Sequence, residues 1–148
     1  MTSAADLVAI VYFDSSAFVK MVVEEDGSDI AATLWDGCDA AVSSRLAYPE
    51  VRAALAAAGR AHRLDPREQS HAEAIWEQFW AATRAVELTD IIAAQAGDLA
   101  SRYALRGADA VHLASLLAVS PTEVLFAVWD ERLRSGAESA GVRLAPIA

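Results

Sequence analysis

Hydrophobic residues along the chain form short continuous runs that alternate with longer stretches of helical periodicity. The first run, residues 7–13, is β-branched and aromatic and ends at Asp14. Such a run is typical of a strand that is buried on both faces of a parallel sheet. Ser15 and Ser16 then offer N-cap side chains for a helix over residues 17–23. The pattern predicts a strand, a carboxylate at its end and then a helix.

The rest of the chain repeats this alternation. Further strands are predicted over residues 39–43, 86–88, 124–129 and 142–144, and further helices over residues 28–35, 45–60, 66–82, 90–105, 109–119 and 131–140. Asp65 and Asp90 are predicted to cap two of these helices, and Pro121 to end another. Strands that alternate with helices favour an α/β fold, in which helices cover both faces of a central, mostly parallel sheet of about four or five strands.

Size and composition are those of one compact unit. The chain has 148 residues, and no repeat, linker or low-complexity tract divides it, so we expect a single domain over residues 1–148. Apolar residues make up 55%, yet no run approaches the ~20 apolar residues that span a bilayer. No Lys or Arg precedes the first apolar run, and Cys38 is the single cysteine. Both features favour a cytoplasmic protein without a membrane partner.

The net charge of −9 argues against broad electrostatic clamping of nucleic acid. Such binding is driven by Lys and Arg side chains that neutralise phosphates. A nucleic-acid substrate is compatible with this charge if the acidity is concentrated where cations bind. Arginines near the acids, or a basic partner, would then supply the phosphate contacts. The nearest basic residues in sequence are Arg45, Arg52, Arg106, Arg132 and Arg134.

Four separated carboxylates are the candidate chemistry. Asp14 and Asp130 follow apolar strands, and Glu50 and Asp109 lie near helix starts. In open α/β sheets, functional groups gather at the carboxyl ends of the strands, where helices also begin. Four carboxylates brought together need a cation between them, because like charges at short range raise one another's pKa. Mg²⁺ or Mn²⁺ prefers oxygen ligands and supports phosphodiester hydrolysis without a His, Cys or Ser nucleophile.

The sequences around these acids resemble the four acidic motifs of PIN domains. They are Tyr-Phe-Asp-Ser-Ser-Ala-Phe-Val-Lys at 12–20, Tyr-Pro-Glu-Val at 48–51, Ala-Asp-Ala-Val-His-Leu-Ala at 108–114 and Trp-Asp-Glu-Arg-Leu at 129–133. They occur in family order, and the resemblance covers essentially the whole chain. A free-standing domain of this length is most similar to the VapC toxins of bacterial toxin–antitoxin pairs.

The resemblance implies a fold, an activity and partners. The fold would be the three-layer α/β/α arrangement of PIN domains. The activity would be Mg²⁺- or Mn²⁺-dependent endoribonucleolytic cleavage of RNA that blocks translation, silenced by a VapB-like antitoxin, in a protein that forms a homodimer. Position by position, Asp14, Glu50, Asp109 and Asp130 would be the catalytic, metal-binding acids, with Ser16 as a polar neighbour.

Two unrelated readings fit the sequence poorly, and a third remains open. A haloacid-dehalogenase-like phosphatase needs a second Asp two residues after the first, where this chain has Ser16. A receiver-like signalling domain needs a Lys late in the chain, whereas the only Lys is Lys20. A catalytically inert PIN-like binding module is compatible with the same acids.

Three other polar residues are interpreted structurally. Asp90 is expected to be a helix cap, and Asp98 a solvated helix position. His112 lies one turn after Asp109 but is flanked by Val111 and Leu113, so we interpret it as a packed side chain rather than a ligand.

Overall fold

A five-stranded parallel sheet forms the centre of the protein in the computed structural model, which describes residues 9–120 and 122–147. The strands are β1 (Ile10–Phe13), β2 (Ala40–Ser44), β3 (Thr83–Val86), β4 (Val124–Ala127) and β5 (Arg143–Ala145). Their spatial order is β3-β2-β1-β4-β5, and every neighbouring pair is parallel. β1 is therefore central, and the chain leaves it first toward β2 and later returns beside it as β4. The reversal of strand order creates a crevice at the carboxyl ends of β1 and β4, where α/β proteins bind ligands.

Helices cover both faces of this sheet. Within the described residues they are α1 (Ser15–Val22), α2 (Ser28–Gly37), α3 (Ala47–Arg60), α4 (Pro66–Ala81), α5 (Asp90–Tyr103), α6 (Gly107–Val119) and α7 (Glu131–Ser139). The predicted three-layer α/β/α architecture is confirmed. None of these helices combines the length and apolar character that crossing a bilayer requires.

The alternation of side chains along β1 divides the core into two clusters. Val11 and Phe13 pack with buried residues of α1, α3 and α4. Tyr12 points to the opposite face and packs with residues of α5, α6 and α7. Successive side chains of a strand face opposite sides of a sheet, so one short strand contributes to both hydrophobic layers. All three side chains are nearly or fully buried.

The start of α1 differs from the prediction in a way that matters for the site. Asp14, rather than Ser15 or Ser16, is the N-cap residue, and its side chain accepts a hydrogen bond from the backbone N–H of Ala17. Asp is as good an N-cap as Ser, and Asp14 comes first as the chain leaves β1. The helix consequently begins two residues earlier than predicted. The carboxylate is fixed by the helix that it starts.

The predicted third strand is displaced. Residues 86–88 were expected to pair, but β3 occupies Thr83–Val86 and aligns with Ala41–Ser44 of β2. The position of this strand is set by its parallel backbone pairing with β2. The apolar side chain of Leu88 does not extend the strand. Leu88 lies beyond the sheet and is half exposed.

Three other boundaries also move. The α5 helix is capped by Thr89, which accepts from Ile92 N, so Asp90 lies in the first turn and does not cap it. The α6 helix begins two residues earlier than predicted, at Gly107. The β4 strand ends at Ala127 rather than residue 129, although Val128 still donates to the carbonyl of Ala145 in β5.

The other element bounds agree with the prediction to within a few residues. Asp65 caps α4 in a capping box with Glu68, as the Asp-Pro start predicts. The predicted start of the first strand at residues 7 and 8, and the helix stop at Pro121, lie outside the described residues.

Candidate metal centre

Asp14 is the deepest of the four candidate acids. It follows β1 directly, at the centre of the sheet, and only 4% of its surface is exposed. Its Oδ1 accepts a hydrogen bond from Ala17 N at 2.9 Å. One oxygen of this carboxylate is therefore anchored to the backbone of α1.

Burial raises the pKa of Asp14 from 3.8 to about 6, because the ionised form loses its hydration. The nearby His112 and the hydrogen bond from Ala17 lower this pKa, whereas the negative charges of Asp109 and Glu50 raise it further. The two acids from other helices are thus close enough for their charges to act on Asp14. A cation at this place would offset all three charges together.

Glu50 reaches the same region from α3. It lies in the first turn of that helix, beyond the end of β2. Its Oε1 lies 2.7 Å from Nε2 of His112, a residue of α6 that is 1% exposed. His112 Nδ1 in turn lies 2.8 Å from the hydroxyl of Tyr12 on β1. The carboxylate is therefore held by a buried imidazole from the opposite helical layer.

Asp109 and Asp130 are linked through one arginine. Asp109 lies in the first turn of α6, and its Oδ2 accepts from Arg106 Nε at 2.9 Å. Asp130 is the N-cap of α7, and its Oδ1 accepts from Leu133 N at 2.9 Å. The Nη2 of Arg106 lies 3.8 Å from the second oxygen of Asp130. Arg106 is largely exposed, and its hydrogen bond with Asp109 raises its pKa, as do the charges of Asp109, Asp130 and Glu50.

All four carboxylates share one arrangement. Each uses one oxygen for a protein contact, and the other oxygen accepts no hydrogen bond from residues 9–120 or 122–147. Anchored carboxylates with a second oxygen free are suitable ligands for hard divalent cations. In the described part of the chain, however, no three His, Cys, Asp or Glu side chains already converge on one point. Binding of a shared ion would therefore require side-chain movements.

A cleft beside these acids carries both signs of charge. It has a volume of about 470 Å³ and is lined by Arg106, Asp130, Glu131 and Arg132. Arginine donates to phosphate oxygens in a bidentate manner, so the cleft places anion-binding groups next to cation-binding groups. The arrangement is suited to a phosphodiester that lies across the acids.

The structure places the residues singled out from sequence as follows. Asp109 and Glu50 lie close enough to Asp14 for their charges to act on it, and Asp130 is linked to Asp109 through Arg106. Ser16 is exposed on α1, one residue beyond the start of that helix. The exclusion of Asp90 and Asp98 is consistent with their positions, because both are exposed on α5.

Sequence reasoning passed over two residues at this site. His112 was interpreted only as a packed side chain, yet it is both packed and hydrogen-bonded to Glu50. Its spacing of three residues from Asp109 was the available signal, since such residues share a helix face. Arg106 was named only as one of several basic neighbours, and no sequence signal set it apart from the others.

Comparisons with known proteins identify the family. The family model of the PIN domain matches residues 11–120. Two relatives from Mycobacterium tuberculosis are Ribonuclease VapC45 of strain CDC 1551 / Oshkosh and Ribonuclease VapC49 of strain ATCC 25618 / H37Rv. Each is 64% identical over 137 residues, which cover 93% of this chain and 95% of the relative. The chain belongs to the PIN-domain family, with VapC ribonucleases as relatives along nearly its whole length.

Proposed function

We propose that this protein is a Mg²⁺- or Mn²⁺-dependent endoribonuclease and the toxin of a type II toxin–antitoxin pair that inhibits translation. The observation that carries the proposal is the buried carboxylate of Asp14 at the end of β1, which is close enough to Glu50 and Asp109 for their charges to raise its pKa. The names of the two relatives support ribonuclease activity and the VapC type. The oxygen-only donor set supports Mg²⁺ or Mn²⁺ over softer metals.

The reaction would be hydrolysis of an RNA phosphodiester. An oxygen of water forms a bond to phosphorus, and the bond from phosphorus to one ribose oxygen breaks. A bound divalent cation supplies charge neutralisation for the acids and for the phosphate oxygens. Asp14, Glu50 and Asp109 would hold that cation, and Asp130 would complete its surroundings from the start of α7. Arg106 and Arg132 would bind phosphate oxygens from the adjacent cleft.

The test is incubation of the purified protein with total cellular RNA in Mg²⁺, in Mn²⁺ and in EDTA. The variants Asp14→Asn and Asp109→Asn should lower the cleavage rate by orders of magnitude, since each removes a charge from a preorganised site. Asp98→Asn, an exposed acid on α5, is the matched control and should cleave at the wild-type rate. Mapping the cut ends would identify the RNA substrate.

Three results would contradict the proposal. Cleavage that persists in EDTA would show that the reaction does not need a divalent metal. Intact RNA in the presence of a bound divalent ion would instead support the inert PIN-like binding module. Equal rates for Asp14→Asn and wild type would place the reaction elsewhere in the protein.

The proposed partner is a VapB-like antitoxin with a basic tail. Arg106 supports this choice, because its guanidinium already pairs with Asp109 and approaches Asp130. These contacts show that a guanidinium fits between the two acids. An arginine or lysine from a partner would meet the same charges. Co-purification with the product of a neighbouring gene tests the proposal, and failure of every neighbouring gene product to bind would contradict it.

Three further properties remain proposals. A single PIN domain over the whole chain is supported by β4, α7 and β5. These elements lie beyond the matched residues 11–120 but belong to the same sheet and core. A homodimer is supported by the exposed Leu88 and Ile91 near the start of α5, and sedimentation equilibrium would measure it. Cytoplasmic localisation is supported by the RNA substrate and is testable by fractionation.

A further inference from the structure

Tyr12, His112 and Glu50 form a polar chain of two short side-chain contacts. Its two contacts are 2.8 Å and 2.7 Å long, and Tyr12 and His112 are 0% and 1% exposed. The three residues come from β1, α6 and α3. The chain therefore crosses from the central strand through one helical layer to a carboxylate of the other layer.

Burial dictates that each polar atom in this chain needs a partner. A buried imidazole loses its hydration at both nitrogens, and an unpaired buried nitrogen would destabilise the fold. Here Tyr12 and Glu50 supply one partner each. Because both nitrogens need a partner, these two contacts fix the rotation of the imidazole ring.

The hydrogen-bond directions follow from the chemistry of the two ends. An ionised Glu50 can only accept, so Nε2 of His112 carries a hydrogen and donates to Oε1. The hydroxyl of Tyr12 can donate or accept, so it can pair with Nδ1 whether or not that nitrogen carries a hydrogen. The contact with Glu50 therefore requires only a hydrogen on Nε2.

We propose that Tyr12 and His112 are positioning residues, which hold Glu50 in the orientation that the metal centre requires. The proposal rests on the proposed function, since Glu50 matters here as a metal ligand. Glu50 is the one candidate acid whose anchor is a side chain from the opposite helical layer. Asp14 and Asp130 are anchored by their own helices, and Asp109 by the nearby Arg106. Without His112, Glu50 would lose the hydrogen bond that holds its side chain in one rotamer.

The variants separate positioning from packing. In His112→Gln, the amide NH₂ reaches about as far as Nε2 and keeps a donor for Glu50. In His112→Leu, a side chain of similar volume removes the donor, and Tyr12→Phe removes a single oxygen. Leu116→Val is the packing control, because Leu116 is fully buried on the same helix and its side chain has no polar atom.

The first measurement is Mn²⁺ affinity by calorimetry on folded wild-type and variant proteins. Partners of ligating carboxylates typically contribute 10- to 100-fold to metal affinity. We expect His112→Leu and Glu50→Gln to weaken Mn²⁺ binding by about tenfold or more, and their double variant to bind no more weakly than Glu50→Gln alone. His112→Gln should recover most of the loss, and Leu116→Val should bind like wild type. Wild-type affinity in His112→Leu, with a loss in Glu50→Gln, would overturn the proposal.

The second measurement needs no metal and remains decisive if His112→Leu fails to fold. Imidazole ¹⁵N and ¹H spectra in EDTA should show a slowly exchanging hydrogen on Nε2 of His112. Glu50→Gln should shift the Nε2–H signal, and Tyr12→Phe should shift the Nδ1 signal. Absence of a hydrogen on Nε2, or signals that neither variant moves, would overturn the positioning role. Failure of wild type to bind Mn²⁺ while these shifts appear would overturn the proposed function and leave the hydrogen-bonded chain standing.

Discussion

Replacement of Asp14 by Asn should stabilise the fold while it abolishes the proposed activity. Asp14 is nearly fully buried, and its ionisation is opposed by lost hydration and by the charges of Asp109 and Glu50. Asn has the same shape and no charge. Its amide oxygen can still accept from Ala17 N, and Asn is as good an N-cap as Asp, so the start of α1 should survive.

The magnitude follows from the change in pKa on folding. Folding raises the pKa of Asp14 from 3.8 to about 6, so the folded protein binds the proton more tightly than the unfolded chain. Stability therefore falls as the pH rises from about 4 to about 6, and the loss is complete above that range. Each pKa unit corresponds to about 1.36 kcal/mol, which gives a cost of about 3 kcal/mol at pH 8. In Asp14→Asn this cost is absent at every pH.

The assay is thermal unfolding in EDTA, followed by circular dichroism between pH 4 and pH 8. For a domain of this size, about 3 kcal/mol corresponds to a Tm about 6 to 12 °C higher for Asp14→Asn at pH 8. The gap should close near pH 4, where Asp14 is protonated in both states. Asp98→Asn, which neutralises an exposed acid, should change Tm by no more than a degree or two at either pH. A variant that is no more stable than wild type at pH 8, or a gap that persists at pH 4, would refute the reasoning.

The remaining predictions concern one ion pair and one tight turn. Arg106→Gln should tighten Mn²⁺ binding in calorimetry by about two- to fivefold, because an exposed ion pair with Asp109 competes only weakly with a cation; weaker binding would contradict this. Gly27→Ala should lower the free energy of unfolding in urea by about 1–3 kcal/mol, since Gly27 has a φ of +91° and an added Cβ would lie 2.8 Å from Trp129 Nε1. In the control Gly37→Ala the new methyl meets no atom within 4 Å, so unchanged or higher stability is expected, and equal effects at both glycines would contradict the turn argument.

The sequence was sufficient for the order of elements and insufficient for several of their ends. The apolar run before Asp14 and the Asp-Pro start of α4 are local signals, and both elements form where predicted. The β3 strand was misplaced because its position is set by hydrogen bonds to β2, and a partner strand some 40 residues away leaves no mark on the local pattern. The cap of α5 went to Thr89 rather than Asp90 because either residue satisfies the same local rule.

The candidate site shows the same division between local and distant information. The four acids could be predicted because each stands next to a strand end or a helix start, and because their flanking sequences resemble those of a known family. The role of His112 could not, because its partners Tyr12 and Glu50 are 100 and 62 residues away in sequence. A histidine between apolar neighbours has the same local appearance whether it only packs or also holds a carboxylate.

The raised pKa of Asp14 and the ion pairs of Arg106 have the same electrostatic origin. Negative charges lie close together in the acidic centre, and burial opposes the ionisation of Asp14. Both effects raise the pKa of Asp14. Arg106 offsets part of that charge at the exposed side, through Asp109 and Asp130, but it does not hydrogen-bond the buried carboxylate. A small divalent ion can approach where a guanidinium on an exposed side chain cannot. In the proposed function, a bound divalent cation would offset the charge of Asp14, so loss of that charge should favour the fold and oppose the function.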